Sequence, residues 1–383
     1  MGTGGFGGDG GFGAGAGAGA PSAGFDAGSA GGGAGAGAGA AADAGASSGA
    51  GGGGARATGA IAMIGDQGPL FRAAQLPPNP PGPGPVPGIP SARDGNILYP
   101  TIRALKVTEN LSPVPQDRVF YSFNYFDSVS EALLNRFDAP IDELRVFRHV
   151  FGVESTFNEG RGSFGFRLPL HTITSVSKIQ GAGGTFTGLG DLNIFAKHIL
   201  AQDSESGSLV SVGLSVTPPT GPRHFANAPF ISSPGGVVFQ PFMGYYLNFG
   251  DLYIHGFSSF NFSSVKGDAV LIYNDVGLVY YLMRDENPNA FITAIAPTFE
   301  VHVNNPLNNR DVFNESNPFG LTDSVNLVSA LNIEFAQTSR LALGIVNSVV
   351  HPRPFDFEVV ALFDIRLGGS RGQVGPFSLV ASP

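Results

Sequence analysis

The stretch DSVNLVSALNIEFAQTSRLALGIVNSVV, residues 323–350, carries two runs of apolar–polar alternation separated by a short polar turn. In an extended chain, successive side chains point to opposite faces. Val325, Leu327, Leu331, Ile333 and Phe335 therefore share one face, and Ser324, Asn326, Asn332 and Glu334 share the other. Beyond the turn, Leu341, Leu343 and Ile345 resume the apolar set. This is the pattern of an antiparallel hairpin with one dry and one wet face. Which face meets water decides whether the chain is a soluble β-protein or one that crosses a bilayer.

The same pattern recurs through residues 117–367. Twelve strands are expected, at 117–126, 144–157, 162–170, 189–200, 207–217, 236–249, 251–263, 269–283, 290–303, 323–336, 339–350 and 354–367. Most exceed the globular average of about 5–6 residues and match the roughly 9–11 that a tilted strand needs to cross a membrane. Short turns (NEGR 158–161, QDSES 202–206, Gly250, DENPN 285–289, QTS 337–339) alternate with longer links at 127–143, 171–188, 218–235 and 304–322. Short turns on one rim and long loops on the other is the outer-membrane barrel plan.

The last strand gives the direction of the faces. Phe355, Phe357, Val359, Ala361, Phe363, Ile365 and Leu367 form an unbroken alternate apolar set, while Asp356, Glu358, Asp364 and Arg366 lie between them. An apolar set of that length makes a band about 25 Å tall, so the apolar face is assigned to lipid. The fold expected is all-β: an antiparallel transmembrane β-barrel of about twelve strands behind a disordered Gly/Ala/Pro-rich N-terminal extension. The same register turns Arg148, Glu154, Arg167, Asp191, Lys197, Gln240, His255, Asp275, Glu300, His302, Glu334, Asp356, Glu358, Asp364 and Arg366 towards the lumen. Two readings of that lumen stay open: a water-filled pore with modest cation preference, or groups that pair across it and fill it. Tyr245, Tyr246, Tyr253, Tyr280 and Tyr281 stand near short-turn strand ends, where a periplasmic aromatic girdle is expected.

Composition fits this frame. The 383-residue chain has 57 Gly, 29 Pro, no Cys and no Trp, with a formal net charge of −9. Its charged fraction of 13% is low against the usual value of about 25% for soluble domains. An acidic balance argues against a nucleic-acid partner. No apolar run reaches the roughly 18 residues of a transmembrane helix, which leaves a barrel untouched. Residues 1–75 read as a disordered Gly/Ala-rich tail, 76–96 as a Pro-rich linker (LPPNPPGPGPVPGIP at 76–90) and 368–383 as a C-terminal extension. The tail and the linker are expected in the periplasm. ATGAIAMIGDQ at 57–67 is too weakly apolar for a leader, and no signal peptide is recognisable in the chain. The segment 97–116 precedes the barrel, and ILYPTIRALKVTEN (97–110) has two readings: a small plug in the periplasmic mouth, or an exposed linker.

Catalytic patterns are missing: no G-x-S-x-G, no P-loop and no H-E-x-x-H. Seven scattered histidines give no metal-ligand spacing. No enzyme activity, metal or cofactor is expected.

SPVPQDRVFYSFNYF (112–126), RHVFGVESTFNEGRGSFGFRLPL (148–170), GLGDLNIFAKHIL (188–200) and SVGLSVTPPTG (211–221) resemble bacterial outer-membrane β-barrel proteins related to the meta-pathway phenol-degradation family of transporters. The resemblance covers residues 112–367. It implies a barrel in the bacterial outer membrane, delivered by the barrel-assembly machinery, that passes small solutes, hydrophobic or aromatic ones among them. It carries over no binding residue. The function expected is passive transport of small solutes across outer-membrane lipid. The alternatives are a non-conducting structural anchor and a soluble β-sandwich that binds a ligand.

Overall fold

The computed structural model describes residues 60–66, 71–75, 96–100, 105–129, 131, 141–177, 184–221, 235–265, 269–285, 287, 289–308, 310 and 323–367. The rest of the Gly/Ala tail, the Pro-rich run 76–90, residues 97–104 other than strand positions 97–100, and the C-terminal extension lie outside the described residues.

Twelve strands form the wall: β1 (Arg118–Phe126), β2 (Ile141–Phe157), β3 (Gly162–Ser177), β4 (Asn193–Gln202), β5 (Leu209–Thr217), β6 (Val238–Phe249), β7 (Leu252–Ser263), β8 (Leu271–Tyr280), β9 (Ile292–Pro306), β10 (Ser324–Phe335), β11 (Ser339–Ser348) and β12 (Phe357–Arg366). Each pairs antiparallel with its sequence neighbour, and β12 pairs with β1 from Arg366↔Arg118 to Glu358↔Phe126. That last pairing closes the sheet into a barrel. Beginning and end of the wall meet at the short-turn rim, as an even strand number requires.

Strands β2, β3, β4 and β9 run past the expected bounds, β3 furthest. β2 and β3 pair continuously from Phe157↔Gly162 to Ile141↔Ser177. β3 pairs with β4 only over Gly162–Arg167, and its far half pairs instead with Gly184–Leu189. Part of the link expected at 171–188 is therefore sheet that continues on the long-loop side. Thr172–Thr187 and Thr174–Thr185 hydroxyl pairs, at 2.9 and 3.3 Å, line it. Residues favourable for strands do not stop at a membrane boundary, so period-two reading alone misses where the wall ends.

The outer face is apolar. Phe151, Phe164, Leu214, Phe260, Phe299, Leu343 and Val359 are exposed, while their strand neighbours Arg148, Glu154, Arg167, Gln240, Glu300 and Glu358 are buried. This is the inverse of a soluble protein, whose large apolar side chains turn inward. Phe355 departs from the expected alternation. It is fully buried and packs edge-on against Phe126 at 5.5 Å. The chain ahead of β12 is tied to Asp127, through Asp127 N to Phe357 O (3.1 Å) and Asp356 N to Asp127 O (3.0 Å). It bends there before the ladder imposes a parity.

Three of the five tyrosines expected in a girdle also turn inward. Tyr246, Tyr253 and Tyr281 are buried and pack with tilted rings, Tyr253 between the other two with centroids 4.9 and 5.9 Å away, whereas Tyr280 is exposed.

Candidate pore and the segments that fill it

Two stretches N-terminal to the wall run inside it. Ala60–Asp66 and Leu105–Ser112 are buried throughout. They lie antiparallel, joined by Met63 N donating to Leu111 O at 3.0 Å. Met63, Val107 and Leu111 pack with Phe120, Phe195, Phe242 and Phe257 from the wall. Complete burial of each such side chain stabilises the seat by about 1.5–3 kcal/mol. Ala60 and Ile61 pack against the inward tyrosines, and Ile64 joins Val146, Ile173, Val328, Val346 and Val360. The sequence reading assigned 60–66 to the tail; the structure places it in the barrel interior.

The wall phenylalanines fit because glycines face them. A Cβ on Gly152 would stand 2.1 Å from the Phe120 ring, so only glycine allows that ring to lie flat on the neighbouring strand. Phe120 in turn carries the Arg118 guanidinium 4.5 Å above its ring centre.

Backbone groups of the two inner legs are satisfied by wall side chains, as buried amides must be. Glu300 accepts from Ile64 N and Gly65 N at 2.9 and 3.1 Å. Gln240 accepts from Val107 N (3.0 Å) and donates to Leu105 O (2.7 Å). Arg167 donates to Glu109 O (2.8 Å) and Lys106 O (3.2 Å). Lys197 donates to Ser112 O at 2.5 Å. Arg340 donates to Ala62 O at 3.2 Å. Wall residues on strands β3, β4, β6, β9 and β11 thus grip the legs from around the lumen.

Charges inside are paired in three groups. Lys106 on the descending leg meets Asp66 of the ascending leg and Asp275 of β8 (2.7 Å to the latter). His302 Nδ1 stands 3.2 Å from Asp66 and 3.0 Å from Asp275, and its Nε2 stands 2.9 Å from Glu300. Asn304 (2.9 Å) and Asn326 also donate to Asp66. Asp66, Asp275 and His302 offer atoms close enough to hold one metal ion, but the Lys106 ammonium sits on both carboxylates. Burial opposes ionisation of Asp66, yet Lys106 and His302 outweigh it and hold its carboxyl well below the ordinary range. Burial likewise opposes charge on Lys106, but Asp275 and Asp66 raise its pKa. The second group joins Arg118 to Glu154 (2.9 Å) and Asp364 (3.4 Å), Lys197 to Glu154 (2.7 Å), and Arg340 to Asp364. In the third, Arg148 meets Glu109 at 2.5 Å, while Asn124 donates to Glu358 at 2.6 Å. Burial raises the Glu109 pKa against the pull of Arg148 and Arg167.

The candidate residues therefore divide. Arg148, Glu154, Arg167, Lys197, Gln240, Asp275, Glu300, His302 and Asp364 are buried and touch the legs or their bound partners, and Glu358 is buried against Asn124 of β1. His255 is buried 3.8 Å from Glu300. Glu334 and Arg366 pair with each other at 3.2 Å by the short-turn rim. Asp191 is buried ahead of β4 and accepts from Gly221 N at 2.7 Å, so it ties loops together. Asp356 does not join the interior: it is exposed and precedes β12, a correction with the same cause as Phe355.

Asp66, Lys106, Glu109, Arg118 and Arg340 were missed. Arg118 shares the inward parity of Asn124 along β1, and Arg340 stands opposite Asp364 of β12. Asp66, Lys106 and Glu109 lie in segments with no period, and nothing local marks them.

No family model matches the chain, and no curated protein matches it. Among solved structures, an outer-membrane channel from Pseudomonas putida F1 is similar with TM-score 0.44 and 13% identity, over 66% of this chain and 97% of that one. The β domain of the Bordetella autotransporter BrkA gives TM-score 0.42 and 10% identity, over 66% of this chain and 100% of that one. The KdgM porin gives TM-score 0.36 and 8% identity, over 65% of this chain and 99% of that one.

Proposed function

We propose that this chain is an outer-membrane channel for passive passage of small solutes, held shut by its own N-terminal legs in the conformation described. One observation carries the reading. The lumen is filled largely by two strand-free segments, and the wall contributes a ring of polar and charged side chains that those segments cover. A barrel whose interior served only as a core would fill with wall side chains, as small barrels do. Here Glu300, Arg167, Gln240 and Lys197 are oriented to hold backbone of a separable piece. With the legs withdrawn, those groups would face water and line a hydrophilic passage. Sieving by bore and weak selectivity from the inward charges would then set what passes. The chemistry of the lining suits small polar or charged solutes.

The filled interior also supports a second reading, a closed structural anchor. Osmotic swelling of proteoliposomes separates the two. Legs precede the wall in sequence, so a chain starting at Pro113 lacks both. The channel reading expects small-sugar influx through that variant and little through the full chain. Absence of influx through a variant that inserts and shows heat-modifiable gel mobility would leave the anchor.

A further inference from the structure

We infer that the seat of the ascending leg, Ala60–Asp66, is a binding slot for short extended peptides that carry apolar side chains and a carboxylate at the C-terminal end. Such peptides are then a solute class of the channel. This rests on the proposed function in one respect: the leg has to be able to leave its seat.

Main-chain groups carry the polar recognition along the slot. Residues 60–65 are Ala-Ile-Ala-Met-Ile-Gly and have no polar side chain. Five of their backbone groups are bound all the same. Ala60 O accepts from Gln116 Nε2 at 2.7 Å, and Ala62 O accepts from Arg340 at 3.2 Å. Met63 N donates to Leu111 O at 3.0 Å. Ile64 N and Gly65 N donate to the two oxygens of Glu300 at 2.9 and 3.1 Å. Any peptide without proline at those positions offers the same donors and acceptors, so the grip selects an extended backbone.

Wall pockets select the side chains. Ile61 packs with Tyr246 and Tyr253, Met63 with Phe195 and Phe242, and Ile64 with Val146 and Val328. A charge placed in any of these pockets would be buried without a partner, so apolar side chains are required there.

The slot ends in a carboxylate receptor. The Asp66 side chain accepts from Lys106 Nζ, from Asn304 Nδ2 at 2.9 Å and from Asn326 Nδ2, and it stands 3.2 Å from His302 Nδ1. All four partners are buried. Three belong to the wall and Lys106 to the descending leg, which joins β1 through residues 113–117. The receptor and the Leu111 carbonyl therefore stay when the ascending leg departs. Its loss leaves buried donors short of an acceptor, and a carboxylate brought in by a peptide satisfies them with charge-assisted hydrogen bonds.

Met63→Asp in the full chain puts a charge among the wall phenylalanines and should release the ascending leg, which fast hydrogen exchange at residues 61–65 reports. The probe is a dye-labelled, C-terminally amidated peptide with the sequence of residues 60–66, Ala-Ile-Ala-Met-Ile-Gly-Asp, followed by fluorescence anisotropy in detergent. Saturable binding to M63D is expected. Affinity should fall by about tenfold with N-methyl groups on Ile64 and Gly65 of the peptide, with Asp66→Asn in the peptide, or with Glu300→Ala added to the protein, since each leaves buried polar groups unpaired. Equal affinity for the N-methylated peptide, or with and without Glu300→Ala, would overturn the backbone grip. Equal affinity for the Asp66→Asn peptide would overturn the carboxylate receptor. Slow exchange at 61–65 in M63D, or no saturable binding once the leg is released, would overturn the slot. Conductance of the same M63D protein separates the two readings. Peptide binding by a silent barrel keeps the slot and sinks the channel, whereas an open barrel that binds no peptide keeps the channel and sinks the slot.

Discussion

Glu300 of β9 accepts the backbone N–H of Ile64 at 2.9 Å, and its other oxygen takes Gly65 N at 3.1 Å. A wall carboxylate is thus the acceptor for two consecutive amides of the ascending leg. Glu300→Ala leaves both buried donors without a partner, at about 1–3 kcal/mol each. Closure should weaken by at least roughly tenfold in open probability, since about 1.4 kcal/mol is a factor of ten. Glu300→Gln keeps one good acceptor and should fall between. Planar-bilayer recordings of the three proteins test the order; equal open probabilities would remove Glu300 from the seat.

Gly65 has φ of +78°, and a Cβ there would meet Glu109 Cα at 2.6 Å and Glu109 N at 2.9 Å. Gly65→Val should therefore push the legs apart and open the channel without touching the wall. Gly250 also has positive φ, +85°, but open space around it. Gly250→Ala should cost only the left-handed backbone strain of about 1–2 kcal/mol and leave conductance unchanged. Similar conductance for both variants would argue that the Gly65 contact does not hold the pore shut.

How much of this was legible in sequence follows from where period two applies. The hairpin β10–β11, quoted first, keeps its register from Asn326↔Ser348 to Phe335↔Ser339, and its apolar set faces outward as read. The inward set follows from the same parity, which is why Glu300, Glu358 and Asp364 were legible. The legs were not. Ala60–Asp66 is a mildly apolar run beside a Gly/Ala tail, and its burial depends on wall residues more than two hundred positions away, such as Glu300 and Asn326. Alternation reports faces of a sheet and is silent on what a barrel encloses. Asp356 and Phe355 failed for a local reason: parity holds only once the ladder begins at Phe357.

Acid should loosen the seat. Asp66 has a depressed pKa, so its contribution is complete above the ordinary carboxylate pKa and is lost as pH falls through the depressed value. Opening should thus begin only below about pH 4. The raised pKa of Lys106 places its contribution below the ordinary ammonium pKa, lost as pH rises through the raised value. Glu109 acts oppositely to Asp66, its raised pKa favouring the neutral form. Asp275, His302 and Glu300 face the same cluster from β8 and β9. Conductance of the wild type against Asp66→Asn between neutral and acid pH tests this. The wild type should open in acid, and the variant should be already leaky and flatter. An identical pH profile for the two would refute the role of Asp66.

Leu343 is half exposed on the outer face of β11, opposite Leu331 and Ala361. Leu343→Arg puts a charge into hydrocarbon near mid-strand and should destabilise the inserted barrel by about 2–4 kcal/mol. Equilibrium unfolding in lipid vesicles measures it. A loss under about 0.5 kcal/mol, the usual size for a surface substitution in water, would mean that this face is not in lipid.

Single-channel conductance of the full chain against the chain starting at Pro113 tests most directly whether the N-terminal legs close this barrel. A silent or low-conductance full chain beside a stable, well-resolved open level in the truncated one is the predicted result. Equal conductance from two properly inserted proteins would contradict it.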